Sequence, residues 1–243
     1  MSKHGYPDWG VYAAKQTIFT LQDLAEAVAR LGGILTYDRA GDLVWYEAFE
    51  QGFDRWTPIL DGSGADVSLK AGIYRSSGYS CELVTGSDGA RLAGIEIYLA
   101  PLVAGKLGLE MSFTLTSQLE SWEFYFDIWT SSRRLEPRVR YIRSSGTLQI
   151  RNSAAGWTTV ATGLLTVLGS SIFHTMKVAV DVENLTYRRL LLDDLSYDLS
   201  STALRSYAAT VAPLIFVYCE AIGAAGSNPS FYVDDVIITQ NEP

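Results

Sequence analysis

After residue 40 the chain never sustains the apolar spacing of a helix, and this constrains its fold more than any other feature. Short runs such as "GIEIYLA", "LGLEMSFTL", "WEFYFDIW", "HTMKVAVDV", "LIFVYCEA" and "FYVDDVIIT" follow one another instead, separated by Gly, Asn, Asp and Ser clusters. In one of them Met176, Val178, Val180 and Val182 recur on one side, with Lys177 and Asp181 on the other. "SSGTL" and "LLLDDLSYDL" read as hairpins that turn at Gly146 and at Asp193-Asp194. About a dozen strands with no helix between them predict an all-β fold: two antiparallel sheets stacked as one sandwich, jelly-roll or concanavalin-like, over residues 41–243.

The first 40 residues differ. "GYPDWG" is a turn-rich opening, and Thr20 then precedes "LQDLAEAVARLGG". Leu21, Leu24, Val28 and Leu31 recur at helical spacing, acids occupy the early turns, and Gly32-Gly33 supplies a stop. The expectation is an N-terminal arm with one short docking helix. Tyr6, Trp9 and the Leu21/Leu24/Val28/Leu31 stripe are its assembly residues, because a helix of about three turns with one apolar face must dock on something.

"SWEFYFDIW" carries the most chemistry. Read alternately, Trp122, Phe124, Phe126 and Ile128 fall on one side and Glu123, Tyr125, Asp127 and Trp129 on the other. The first set is predicted core. The second mixes carboxylates with aromatics, which suits a glycan contact, a protein interface or the ordinary outside of a sheet. Arg138, Arg140, Gln149 and Arg151 join that surface if the following strands pair beside it. A hydrolytic role fails on spacing: Glu123 and Asp127 lie roughly 13–14 Å apart along a strand, whereas paired glycosidase carboxyls sit about 5–5.5 or 6.5–9.5 Å apart.

"EAFEQGFDRWTP" and "FYVDDVIIT" resemble the first and last strands of jelly-roll carbohydrate-binding modules. The matching residues are Phe49, Glu50, Gly52 and Trp56, then Phe231, Tyr232, Val233, Asp234, Asp235 and Val236. The resemblance implies a sandwich over about residues 43–240, with the first and last strands side by side. It also implies a structural calcium held by Glu50 and Asp234, since that ion takes several hard oxygens. "MSKHGYPDWG" has no apolar stretch of secretory type. A lectin-like body behind a docking arm and no export signal looks like a phage virion component, made in the cytoplasm and assembled with copies of itself or other virion proteins.

The remaining composition excludes more than it assigns. The formal charge is −8, with no dense basic stripe, so nucleic acid is not an expected partner. No run is long enough for a membrane helix. Two His, and two Cys (Cys81 and Cys219) read as buried thiols, make no zinc spacing. There is no Gly-x-Ser-x-Gly and no phosphate loop, and His174 reads as a satisfied edge histidine. The expected function is non-catalytic: a self-assembling virion decoration or tail-accessory protein, with a carbohydrate-binding module as the alternative and a glycoside hydrolase as a remote one.

Overall fold

The structure, a computed structural model, describes residues 40–76, 78–100, 105–164 and 167–243. The expected arm and helix, with Tyr6, Trp9, Leu21, Leu24, Val28 and Leu31, fall in residues 1–39 and lie outside the described residues.

Strands follow one another through the rest. They are β1 (Asp42–Glu47), β2 (Thr57–Asp61), β3 (Asp66–Ala71), β4 (Tyr79–Val84), β5 (Leu92–Leu99), β6 (Lys106–Leu115), β7 (Leu119–Trp129), β8 (Arg133–Leu135) and β9 (Arg138–Ile142). After a 3-10 turn come β10 (Thr147–Arg151), β11 (Trp157–Ala161), β12 (Gly169–Asp181), β13 (Thr186–Leu192), β14 (Leu195–Asp198), β15 (Ser206–Ala208), β16 (Leu214–Gly223) and β17 (Ser230–Gln240). One eight-stranded sheet runs β14-β13-β12-β6-β17-β4-β3, with β1 also on β17. A nine-stranded sheet runs β11-β10-β9-β7-β16-β5-β2, with β8 on β7 and β15 on β8. All pairings are antiparallel. The predicted two-sheet sandwich is therefore the observed fold, and both predicted hairpins form, with Gly146 and Asp193 at positive φ.

The core lies between the sheets. Trp122, Phe124, Phe126 and Ile128 all point into it, as their alternation requires, and Phe113 of the facing sheet sits 4.7 Å from Trp122 and 5.8 Å from Phe231 between ring centroids. Each such aliphatic or phenyl side chain stabilises the fold by roughly 1.5–3 kcal/mol when buried. Phe49 and Trp56 of the "FEQGFDRW" segment pack together at 6.0 Å, so that motif is a core plug. Cys81 and Cys219 are free, buried thiols, and burial pushes both well above the usual thiol range.

Two polar side chains of β12 are buried and satisfied by specific partners. Lys177 does sit opposite Met176 and Val178, yet it is fully buried, because Glu242 and the Ala40 carbonyl take its ammonium. His174 is satisfied, and it pairs with Phe113 of β6 beyond the end of the β12–β13 ladder, which begins at Met176. Its Nδ1 bonds Asp193 at 2.6 Å and its Nε2 bonds the Val167 carbonyl at 2.8 Å. Burial alone would lower its pKa, but these two acceptors outweigh burial and hold it above the ordinary histidine value.

Candidate functional site

The outer face of the nine-stranded sheet gathers the chemistry. Because β9 and β16 flank β7, the register sets Arg140, Glu123, Glu220 and Gly94 in one row. Arg138, Tyr125, Tyr218 and Glu96 form the next, and Asp127, Phe216 and Tyr98 the third. Strands β10 and β11 extend the surface with Gln149, Arg151, Trp157 and Thr159. The expected surface of Arg138, Arg140, Gln149 and Arg151 beside "SWEFYFDIW" is thus assembled.

Hydrogen bonds, with one ion pair between Arg140 and Glu123, cross the strands in series. Gln149 donates to Thr159 at 3.2 Å and accepts two N–H bonds from Arg140 at 3.0 and 2.6 Å. Arg140 lies 3.7 Å from Glu123. The Tyr125 hydroxyl donates to Glu123 at 3.0 Å and leans toward Glu220 at 3.4 Å, while Tyr218 donates to Glu220 at 2.5 Å. Burial pushes both carboxyls up. Glu220 is pushed further by the charge of Glu123, and the tyrosine hydroxyls and arginines oppose the shift at each. Gly94 makes room for this packing: a Cβ there would come within 2.9 Å of the Tyr218 ring and 2.8 Å of the Cys219 carbonyl oxygen.

Asp127, one of the expected contact residues, has no exposed surface. It is fully buried beneath two guanidiniums, with Arg134 at 2.5 Å and Arg138 at 2.7 Å on the same oxygen. Both arginines also pair with Glu136, which is joined by Arg205 at 3.0 Å. Tyr125 and Trp129 each carry a guanidinium over the ring, Arg138 at 4.1 Å and Arg134 at 4.5 Å. One face of each aromatic is therefore occupied from within. The sequence reading missed Tyr98, the most exposed aromatic among the described residues at 60%, which packs on Phe216 at 4.9 Å. It also missed Tyr218 and Glu220. Their signal was present in "LIFVYCEA", whose alternation repeats that of "SWEFYFDIW", but the pairing of two segments about 95 residues apart has no local signature.

At the sandwich's closing edge β1 and β17 lie side by side, as the resemblance implies. Glu50 accepts the N–H groups of Gly78 and Tyr79 at 2.6 and 2.9 Å. Asp234 accepts those of Arg75 and Asp235, both at 2.8 Å. Glu50 and Asp234 thus both clamp the 72–79 loop. Among the described residues no group of three His, Cys, Asp or Glu converges as a cation cage, so no role is derived for a metal. Calcium stands as a proposal with its own check: a chelator lowers the melting temperature if Glu50 and Asp234 hold the ion, and leaves it unchanged if the N–H clamp suffices.

Burial, then the charge of Asp235, pushes Asp234 up to about 7. An unfolded aspartate releases its proton near about 3.9. The native chain therefore binds more protons between those values, and stability falls as pH rises through them. Asp234→Asn is expected to flatten this dependence in urea midpoints compared at pH 5 and pH 8. An equal slope in variant and parent would refute the assignment.

No family model matches the chain, and no curated protein matches it in sequence. Solved structures do match in fold. The chain is similar to the cellulose-induced protein Cip1, with 16% identity, a TM-score of 0.52, and coverage of 82% of this chain and 98% of that one. It is similar to a carbohydrate esterase of the Shiga toxin-encoding bacteriophage phi24B, with 11% identity, a TM-score of 0.52, and coverage of 82% and 98%. An endo-β-1,4-glucuronan lyase of the fungus Trichoderma reesei matches at 11% identity and a TM-score of 0.53, over 82% and 95% of the two chains. At such identities the likeness is one of fold alone: the chain shares the β-sandwich of these proteins.

Proposed function

We propose that this sandwich is a carbohydrate-binding protein whose contact surface is the outer face of the nine-stranded sheet. One observation carries the reading: partly exposed rings of Tyr98, Trp129, Phe216 and Trp157 share a single rigid face with a pre-bonded series of polar groups. A pyranose ring offers C–H faces to aromatics and hydroxyls to fixed donors and acceptors. Because the polar groups are already oriented by cross-strand bonds, little ordering cost accompanies binding. The similar folds named above include proteins whose names refer to carbohydrate chemistry, which supports the same reading. The reading concerns recognition, and assigns no reaction.

Retention on immobilised polysaccharides tests it. Tyr98→Ala and Trp129→Ala are each expected to weaken binding about tenfold, which corresponds to roughly 1.4 kcal/mol. Unchanged retention in both variants, or no retention of the intact protein on any glycan, would overturn it.

Assembly into a virion or homo-oligomer is a separate proposal, resting on the sequence of the arm and on Tyr6, Trp9 and the apolar stripe. Deleting residues 1–33 should convert an oligomer into a monomer, and an unchanged mass in light scattering would sink that idea.

A further inference from the structure

We propose that the glycan taken by this face is acidic, and that Arg140 and Arg151, flanking the indole of Trp157, form the subsite for a sugar carboxylate. The inference rests on the carbohydrate-binding reading above and names its ligand class. It begins from a contrast among five arginines. Arg134, Arg138 and Arg205 are neutralised at 2.5–3.0 Å by Asp127 or Glu136. Arg140 and Arg151 are treated differently.

Arg140 directs Nε and Nη2 at one neutral oxygen, the amide of Gln149, which Thr159 fixes in orientation. Its carboxylate neighbour, Glu123, stays 3.7 Å away, near enough for an ion pair but too far to accept a hydrogen bond from it. Arg151 has no carboxylate partner among the described residues, and its Nε is buried without a hydrogen-bond partner. Both guanidiniums lie over the Trp157 ring, at 4.2 Å for Arg140 and 5.5 Å for Arg151. A protein with a formal charge of −8 has carboxylates to spare, yet supports this pair of cations with an amide and an indole.

Two like charges that have only the Glu123 carboxylate between them, at 3.7 Å from Arg140, still repel, and an orphaned buried N–H costs about 1–3 kcal/mol. An incoming anion relieves the repulsion. A planar carboxylate matches the guanidinium fork with two parallel N–H···O bonds, which a hydroxyl cannot do. The position also fits a polymer: β11 and β10 border one side of the face, and Tyr98 on β5 lies across β9, β7 and β16 from them. A chain laid across the strands would reach aromatic contacts at Tyr98 and a charged contact at Trp157. Carboxylate and sulfate share the negative charge and both can meet the fork with two oxygens, so the two are separated by the measurement.

The test measures affinity of the full chain for polygalacturonate, dextran sulfate and a neutral β-1,4-glucan, each at 50 and 300 mM NaCl. Polygalacturonate is expected to bind at least tenfold more tightly than the neutral glucan at low salt, and to lose most of that advantage at high salt. In the Arg140→Gln/Arg151→Gln variant the acidic-to-neutral ratio should collapse toward one. Arg140→Lys, which keeps the charge and loses the fork, should fall between. A preference for the neutral glucan, or equal affinity for both, overturns this inference and leaves the carbohydrate-binding reading standing. Tighter binding of dextran sulfate than of polygalacturonate overturns the carboxylate assignment. Absence of binding to all three overturns both readings. If the double variant unfolds, the parent's salt dependence decides: affinity for polygalacturonate that is insensitive to salt refutes the subsite.

Discussion

Glu242→Ala is expected to lower the free energy of unfolding by about 3 kcal/mol, the range for breaking one side of a buried ion pair. The Glu242 carboxylate is held on both sides, by Lys177 at 2.9 Å and Arg189 at 2.9 Å, and it receives the Thr239 hydroxyl as well. Lys177 is fully buried, so losing this partner cannot be repaired by water. Gly108 leaves the space that the carboxylate fills: a Cβ there would stand 2.8 Å from its oxygen. The exposed pair Arg91–Glu120, at 3.0 Å, serves as the comparison. Glu120→Ala should cost no more than about 1 kcal/mol, because solvent screens that pair. Urea denaturation of the two variants and the parent makes the comparison, and a Glu242→Ala midpoint indistinguishable from that of Glu120→Ala would refute the account.

Asp127→Ala should be nearly as costly, again about 3 kcal/mol, and it should disturb the candidate site as well. Removing the carboxylate leaves Arg134 and Arg138 to share Glu136 alone. Arg138 is then no longer drawn across the Tyr125 ring, and Tyr125 bridges toward both glutamates. Asp127→Asn keeps one acceptor oxygen and should cost less than Asp127→Ala. Calorimetry on both variants decides: equal and small losses would show that Asp127 is no clamp.

These two residues also mark where sequence reading stops. The alternation of Trp122, Phe124, Phe126 and Ile128 was legible because a strand's period is local, and so were the turns at Gly146 and Asp193. The plug of Phe49 and Trp56 was legible as a motif. The role of Asp127 was not, because its burial comes from arginines brought in on β8 and β9. The burial of Lys177 was not legible for the same reason: its partner stands 65 residues later, on no recognisable motif. Glu123 lost its reading as half of a carboxyl pair when only its own strand was considered. Its true carboxyl neighbour, Glu220, is fixed by the pairing of β7 with β16, a property of topology and not of spacing.

That topology has a consequence for how the chain is made. The middle of one sheet is β17, which joins β6 to β4, and the middle of the other is β16, which joins β7 to β5. Both are among the last strands to be synthesised in this sequence, and β17 begins 115 residues after β6 ends (Leu115 to Ser230). Until they emerge from the ribosome, each sheet exists as two halves with open edges, β6 and β4 in one and β7 and β5 in the other. Unpaired edges of this kind are templates for association with other chains, and contacts of such high sequence separation form slowly. A nascent chain halted before Leu214 therefore carries the open edges of β4, β5, β6 and β7 together with an unpaired β1, each exposed to association with another chain until β16 and β17 arrive.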